Sequence, residues 1–214
     1  MKDWWIENNK YMRSLGMESC SGTGSTLDAT KAIREELPHL LKSLDVLTML
    51  DIPCGDGYWM MHTDLEGVSY WGADIVPMNI EHNISRYGYR FSSAHQTWMI
   101  LDITKDRLPA ADLIFCRDCL VHFSTESIWE AIRNIIASGS KYLLTTTFIE
   151  RKENHEIPDG GWQTLNLQIA PFNFPEPIGV LDEHCTEQGG IYSDKKLGLW
   201  RIADLRACLP VENN

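Results

Sequence analysis

The chain has 214 residues, enough for one well-buried core and short for two. Its formal charge of −11, with no Lys/Arg-rich run to offset it, repels phosphate and disfavours DNA or RNA as substrate. No apolar run nears the ~20 residues that span a bilayer. The first ten residues lack a signal-peptide core, so the expected setting is cytoplasmic and away from membranes, with all six cysteines reduced.

Residues 1–19 read as an amphipathic helix with Trp4, Trp5, Tyr11, Met12 and Leu15 as apolar markers. Ser21-Gly-Thr-Gly-Ser-Thr26 is a flexible turn. Thr26 or Asp28 is placed to cap a helix from Ala29 to Leu44. The period then changes. Val46 to Ile52 is a short apolar run closed by the turn Gly55-Asp56-Gly57, the mark of a buried parallel strand. A helix is expected to start at Tyr58 to His62. Val68 to Ile75 reads as a second strand, and Pro77 to Tyr87 as a helix with proline in its first turn. Trp98 to Ile103 and Ala111 to Arg117 are the third and fourth strands. Thr125 to Ser138 is a helix capped by Ser124, and Lys141 to Phe148 a fifth strand.

Strands alternating with helices predict an α/β, Rossmann-like three-layer sandwich with a mostly parallel sheet. Ile178 to Asp182 and Leu197 to Ile202 would complete seven strands with an antiparallel edge. The long irregular segment between Arg151 and Pro177 is of the kind that more often carries function than not. The whole reads as a single domain: 1–45 as N-terminal helices and lid, 46–148 as a cofactor-binding core, and 149–214 as an acceptor-side elaboration with the last strands.

The strongest chemical signal is Leu50-Asp51-Ile52-Pro53-Cys54-Gly55-Asp56-Gly57, between a strand and a helix start. Glycine lets the backbone turn sharply and sit against a ligand, and N–H groups at a helix start favour an anionic group. Asp74 follows Asp51 by 23 residues, at a strand end, where a carboxylate suits a ribose diol. Asp102, at the next strand end, is placed to accept from an adenine amino group, although Asp-Ile-Thr also caps turns. Cys116 and Cys119 form a C-x-x-C with no second pair of zinc spacing, so buried thiols are expected there, with a zinc or redox reading kept as a rival.

Over about Val46 to Phe148 these positions resemble the class I S-adenosylmethionine-dependent methyltransferases. The third glycine of dinucleotide enzymes is missing, since Met60 stands three residues after Gly57, and this weighs against an NAD-dependent oxidoreductase. The resemblance implies S-adenosylmethionine as cofactor, leaving S-adenosylhomocysteine. It implies that Asp51 meets the methionine end through the loop or water and that Asp74 holds the ribose. Pro53, Gly55, Gly57, Trp59, Ile75, Asp102, Ile103, Cys116 and Arg117 complete the expected cofactor-binding set. The segment Asp112 to Phe123 resembles the family's fourth-strand region, which faces the methyl group. A narrower similarity, to bacterial and viral methyltransferases found with glycan-building enzymes, rests on Ser21 to Leu27, Cys116 to His122 and Gly161 to Leu167.

A hydroxyl acceptor needs a base or a metal to take its proton. Asp118 and His122 are the catalytic candidates. A divalent metal with Asp118 as one ligand is conceivable, but no full ligand set stands in the sequence. For the acceptor, flat aromatics beside amides suit a sugar hydroxyl, and Trp162, Asn166, Phe172 and Phe174 supply the types. Trp4, Trp5 and the Ser21–Thr26 turn are candidates for a lid. A nitrogen or protein acceptor, and a binding module without catalysis, remain as other readings.

Overall fold

The computed structural model describes residues 2–88 and 96–210. Five strands run parallel: β1 (Thr48–Asp51), β2 (Ser69–Asp74), β3 (Gln96–Ile100), β4 (Leu113–Cys116) and β5 (Tyr142–Phe148). β7 (Lys195–Arg201) runs antiparallel between β5 and β6 (Gly179–Asp182). The lateral order is β3-β2-β1-β4-β5-β7-β6. The chain therefore walks outward from β1 to β3, returns to β4 beside β1, and walks the other way. That reversal between β1 and β4 opens a crevice at the carboxyl ends of the strands, where open α/β sheets hold ligands.

Burial on both faces explains the continuous apolar runs. Met49, Leu113, Phe115 and Leu144 point to one side and pack with Ile33, Leu37 and Leu41 of α2 (Lys31–Ser43). Leu50, Ile114, Cys116 and Leu143 point to the other and meet Ile128, Ile132, Ile135 and Ile136 of α4 (Thr125–Ala137). Those spacings put one stripe of each helix on the sheet, and each aliphatic so buried contributes roughly 1.5–3 kcal/mol. Ser124 caps α4 as expected, its side chain accepting from Ser127 N. α3 (Pro77–Tyr87) packs along β2 and β3, and α1 (Lys2–Ser14) precedes the Gly/Ser/Thr turn. Among the described residues no helix is long and apolar enough to cross a membrane.

Three expectations need correction. After the glycine turn there is no α-helix, only a 3-10 turn over Met60–His62. The rest of the connection runs as turns, and Gly67, at φ +80°, brings the chain into β2. The third strand begins earlier and ends earlier than Trp98 to Ile103, so Asp102 and Ile103 lie in the turn beyond it. The loop between Arg151 and Pro177 contains no helix or strand, but much of it faces inward. Phe172 and Phe174 are buried, Phe172 against Trp129 and Phe174 against Trp200. Asn166 is also buried. It donates from Nδ2 to the Arg151 carbonyl, and its backbone exchanges bonds with the Asn154 side chain.

Candidate active site

A cavity of about 410 Å³ fills the crevice. Its first half is built by the ends of β1 and β2 and the turn after β3. Asp51 and Asp74 stand at the two strand ends, with Pro53, Gly55, Ile75, Asp102 and Ile103 beside them. Asp51 accepts from the Tyr70 hydroxyl at 2.6 Å. Burial pushes its carboxyl up to about 7, against that hydroxyl, which pulls it down. Asp74 accepts from the backbone N–H of Val76 at 2.8 Å and of Gly55 at 3.0 Å. Burial still pushes it up to about 6. Asp102 spends Oδ1 on the N–H and hydroxyl of Thr104, the turn-capping role, while also reaching the cavity wall.

The second half lies over β4, β5 and β7. Arg117, Asp118 and His122 follow β4, Phe148 ends β5, Lys195 begins β7, and Trp162, Glu187 and Tyr192 come from the two C-terminal loops. Asp118 adopts φ +50°, a conformation that costs a non-glycine residue free energy and that its surroundings must hold. Thr146 Oγ1 accepts its N–H at 2.8 Å, and Lys195 Nζ and Arg117 grip its carboxylate at 2.7 and 3.3 Å. Burial acts to raise the Asp118 carboxyl. Arg117 and then Lys195 outweigh it and hold the group far below the ordinary carboxylate range. Behind it, Arg117 also bonds Glu183 through Nε and Nη2, at 3.2 and 2.7 Å.

His122 is in the opposite condition. Burial lowers its pKa below the usual imidazole value, against the Gly161 carbonyl and Asp118, which raise it. Its Nδ1 lies 2.7 Å from the Gly161 carbonyl oxygen, which fixes the tautomer: Nδ1–H donates, and Nε2 carries the lone pair.

The segment holding the Ser21–Thr26 turn, a lid candidate in the sequence, also borders the cavity. Cys20 to Ser25 lines the cavity. It is tied down by Asp56, whose buried carboxylate accepts from Cys20 N at 2.7 Å, from Ser19 Oγ at 3.0 and 3.1 Å and from Ser21 Oγ at 3.3 Å. A Cβ on Gly55, at φ +54°, would run into Ser21 Oγ. This glycine makes room for the lid, where the sequence pointed to room for a ligand. At its far end the segment reaches Glu187, to which Thr23 Oγ1 donates at 3.1 Å. The side chains of Trp4 and Trp5, the other lid candidates, lie outside the described residues.

Most of the anticipated residues therefore share one wall. Trp59 joins them, packed edge-on against Phe115 and lying under the Arg117 guanidinium. Gly57, Cys116, Asn166 and Phe172 do not line the cavity. Gly57 sits against Trp98 and Asn83, Cys116 is fully buried in the sheet core, and Asn166 and Phe172 serve the loop's own packing. All six cysteines are free, and among the described residues no group of three or more His, Cys, Asp or Glu is placed to hold a metal. Lys195, Glu183, Glu187 and Tyr192 were missed. The only sequence trace of Lys195 was a lysine heading an apolar strand, in Lys-Lys-Leu-Gly-Leu-Trp-Arg.

A family profile described as a methyltransferase domain matches residues 26–176. The chain belongs to that family. The β1–β3 half of the cavity suits a donor that carries hydroxyl or ammonium groups and a flat base. Two carboxylates there can take hydroxyl or ammonium protons, and Ile75, Val76, Leu101 and Ile103 offer apolar walls for a flat base. No curated protein matches the chain. Among solved structures, it resembles magnesium protoporphyrin IX methyltransferase of Synechocystis PCC 6803 with bound SAH. That match is 16% identical, covers 56% of this chain and 58% of that one, and has a TM-score of 0.45. CalS10, an amino pentose methyltransferase from Micromonospora echinaspora, is 14% identical, with 52% and 48% of the two chains covered and a TM-score of 0.44. The matched region thus spans less than two-thirds of either relative.

Proposed function

We propose that the chain transfers the methyl group of S-adenosylmethionine to a hydroxyl of a sugar or another small molecule, with His122 as the base. One observation carries this reading: a single cavity joins the Asp51–Asp74 end to the His122–Asp118 end. The bound donor would supply a methyl carbon already activated by a positively charged sulfur. The protein's remaining work is to align the acceptor oxygen and receive its proton.

His122 suits that work better than Asp118. It is neutral at physiological pH, and its Nε2 bears the lone pair. Asp118, gripped by two cations, is a poor proton acceptor and serves as a fixed negative charge. On this reading Asp51 and Asp74 belong to donor binding, and Trp162 is the member of the original acceptor set that reaches the acceptor. Residues 1–45 supply the lid, 46–148 the donor core and 149–214 the acceptor side of one functional unit.

Thermal unfolding with S-adenosylmethionine, S-adenosylhomocysteine and NAD in parallel tests the donor. A ligand at 100 times its dissociation constant stabilises by about 2.7 kcal/mol. A shift with the two sulfur compounds alone is the expected result. A shift with NAD alone would replace methyl transfer by hydride transfer, and no shift at all would remove the donor reading.

A further inference from the structure

The acceptor half of the cavity has a charge pattern that the methyl-transfer reading does not require. Two cations, Arg117 and Lys195, meet three carboxylates, Asp118, Glu183 and Glu187. The positions of these groups are unequal. The cations are buried, with side chains 6% and 5% exposed, while Asp118 and Glu187 are 30% and 35% exposed and reach the cavity. All four line the cavity, and the carboxylates are the more exposed of them. Glu187 is the least neutralised of the set: Lys195 Nζ stands 4.0 Å away, and its nearer partner is the Thr23 hydroxyl at 3.1 Å.

An aromatic corner lines the same cavity. Phe148, Trp162 and Tyr192 meet edge to face, with centroids 5.1 to 6.1 Å apart. Arg151 lies over the Phe148 and Tyr192 rings, which leaves Trp162, 45% exposed, as the ring surface presented to a ligand. A ring face beside carboxylates attracts an organic cation by both its quadrupole and the formal charge.

We propose that the acceptor is a small polyhydroxylated amine, an amino sugar or aminocyclitol, whose ammonium group is anchored by Glu187 and Asp118 while its carbon skeleton lies on Trp162. This rests on the methyl-transfer reading above and narrows it. The amine is the anchor and the hydroxyl the reacting group, because an ammonium paired with carboxylates has no lone pair to offer. In the transfer, the acceptor oxygen forms a bond to the methyl carbon, and the bond from that carbon to sulfur breaks with its electron pair remaining on sulfur. The hydroxyl proton passes to His122 Nε2. Glu187 is thus a specificity-determining residue.

The test is calorimetric titration with glucosamine, galactosamine, mannosamine and 2-deoxystreptamine, each beside its N-acetylated form, on protein saturated with S-adenosylhomocysteine. At least one amine should bind, and both its N-acetylation and Glu187→Gln should weaken binding about 10-fold or more, the scale of one charge-assisted hydrogen bond. Glu187→Gln should weaken S-adenosylhomocysteine far less than the amine, because the amide oxygen can still accept from Thr23 Oγ1. Equal binding of the acetylated forms, indifference to Glu187→Gln, or no binding by any amine to protein that binds S-adenosylhomocysteine would overturn the proposal. Failure of S-adenosylhomocysteine itself to bind would strike the donor reading instead. The same amine titrations on the ligand-free protein would then still test Glu187.

Discussion

Asp56→Ala should unlatch the lid while leaving the sheet intact. The Asp56 carboxylate is buried and accepts from Ser19 Oγ, Cys20 N and Ser21 Oγ across the lid and from Tyr58 N below it. Hydrogen bonds to a charged group contribute about 1.5–3 kcal/mol each. The two strongest lid bonds, from Cys20 N and Ser19 Oγ, would sum to more than 3 kcal/mol, but the freed donors regain water once the segment lifts. A net loss of about 3 kcal/mol in lid closure follows, or roughly 100-fold in the open population. Amide hydrogen exchange read peptide by peptide is the assay. Protection should fall over the segment from Ser19 to Thr30 and persist in β1, β4 and β5. Affinity for S-adenosylhomocysteine should fall with it, because Cys20 to Ser25 line the cavity. Unchanged exchange over the lid in a folded variant would refute the reasoning, as would a uniform loss of protection throughout the sheet.

Other perturbations separate the roles of the buried charges. Asp51 has a folded pKa raised to about 7 by burial, so its contribution to stability is full below the unfolded value of 3.8 and is lost as pH rises through about 7. Asp51→Asn should therefore gain on the unmodified protein in thermal unfolding as pH goes from about 4 to about 7.5, and parallel curves would contradict this. His122→Gln should retain donor affinity and lose about 10²-fold or more in turnover, measured by S-adenosylhomocysteine release. In the unmodified enzyme the acid limb of activity should fall below the ordinary imidazole range, because burial lowers His122. Lys195→Met strands Asp118 and Glu183 without their shared ammonium and should destabilise by about 3–5 kcal/mol in denaturant unfolding. A loss under 1 kcal/mol would mean that the cluster is well solvated.

The elements that the sequence announced are those decided by local pattern. β1, β4 and β5 are apolar because both faces are covered, α4 shows its stripe and its Ser124 cap, and the two last strands form the expected antiparallel edge. What escaped depends on contacts distant in the chain. The helix expected after Gly57 is replaced by a 3-10 turn whose Met60 and Met61 are buried in the core. Phe172 and Asn166 look like binding residues in an irregular loop until the loop is seen to pack inward on Trp129 and on its own backbone. Lys195 and Glu183 acquire meaning only when β7 is inserted beside β5 and brings them to Asp118 and Arg117. Asp51 and Asp74, singled out at strand ends beside the glycine turn, and His122, singled out through the resemblance of Asp112 to Phe123, all line the cavity.

The short lid has a kinetic consequence. It touches Asp56 at the donor end and Glu187 at the acceptor end, so a single strap spans both compartments. On the methyl-transfer reading proposed above, a spent donor and a methylated product would both leave past this one strap, and release would then respond to solvent viscosity more than to acceptor reactivity.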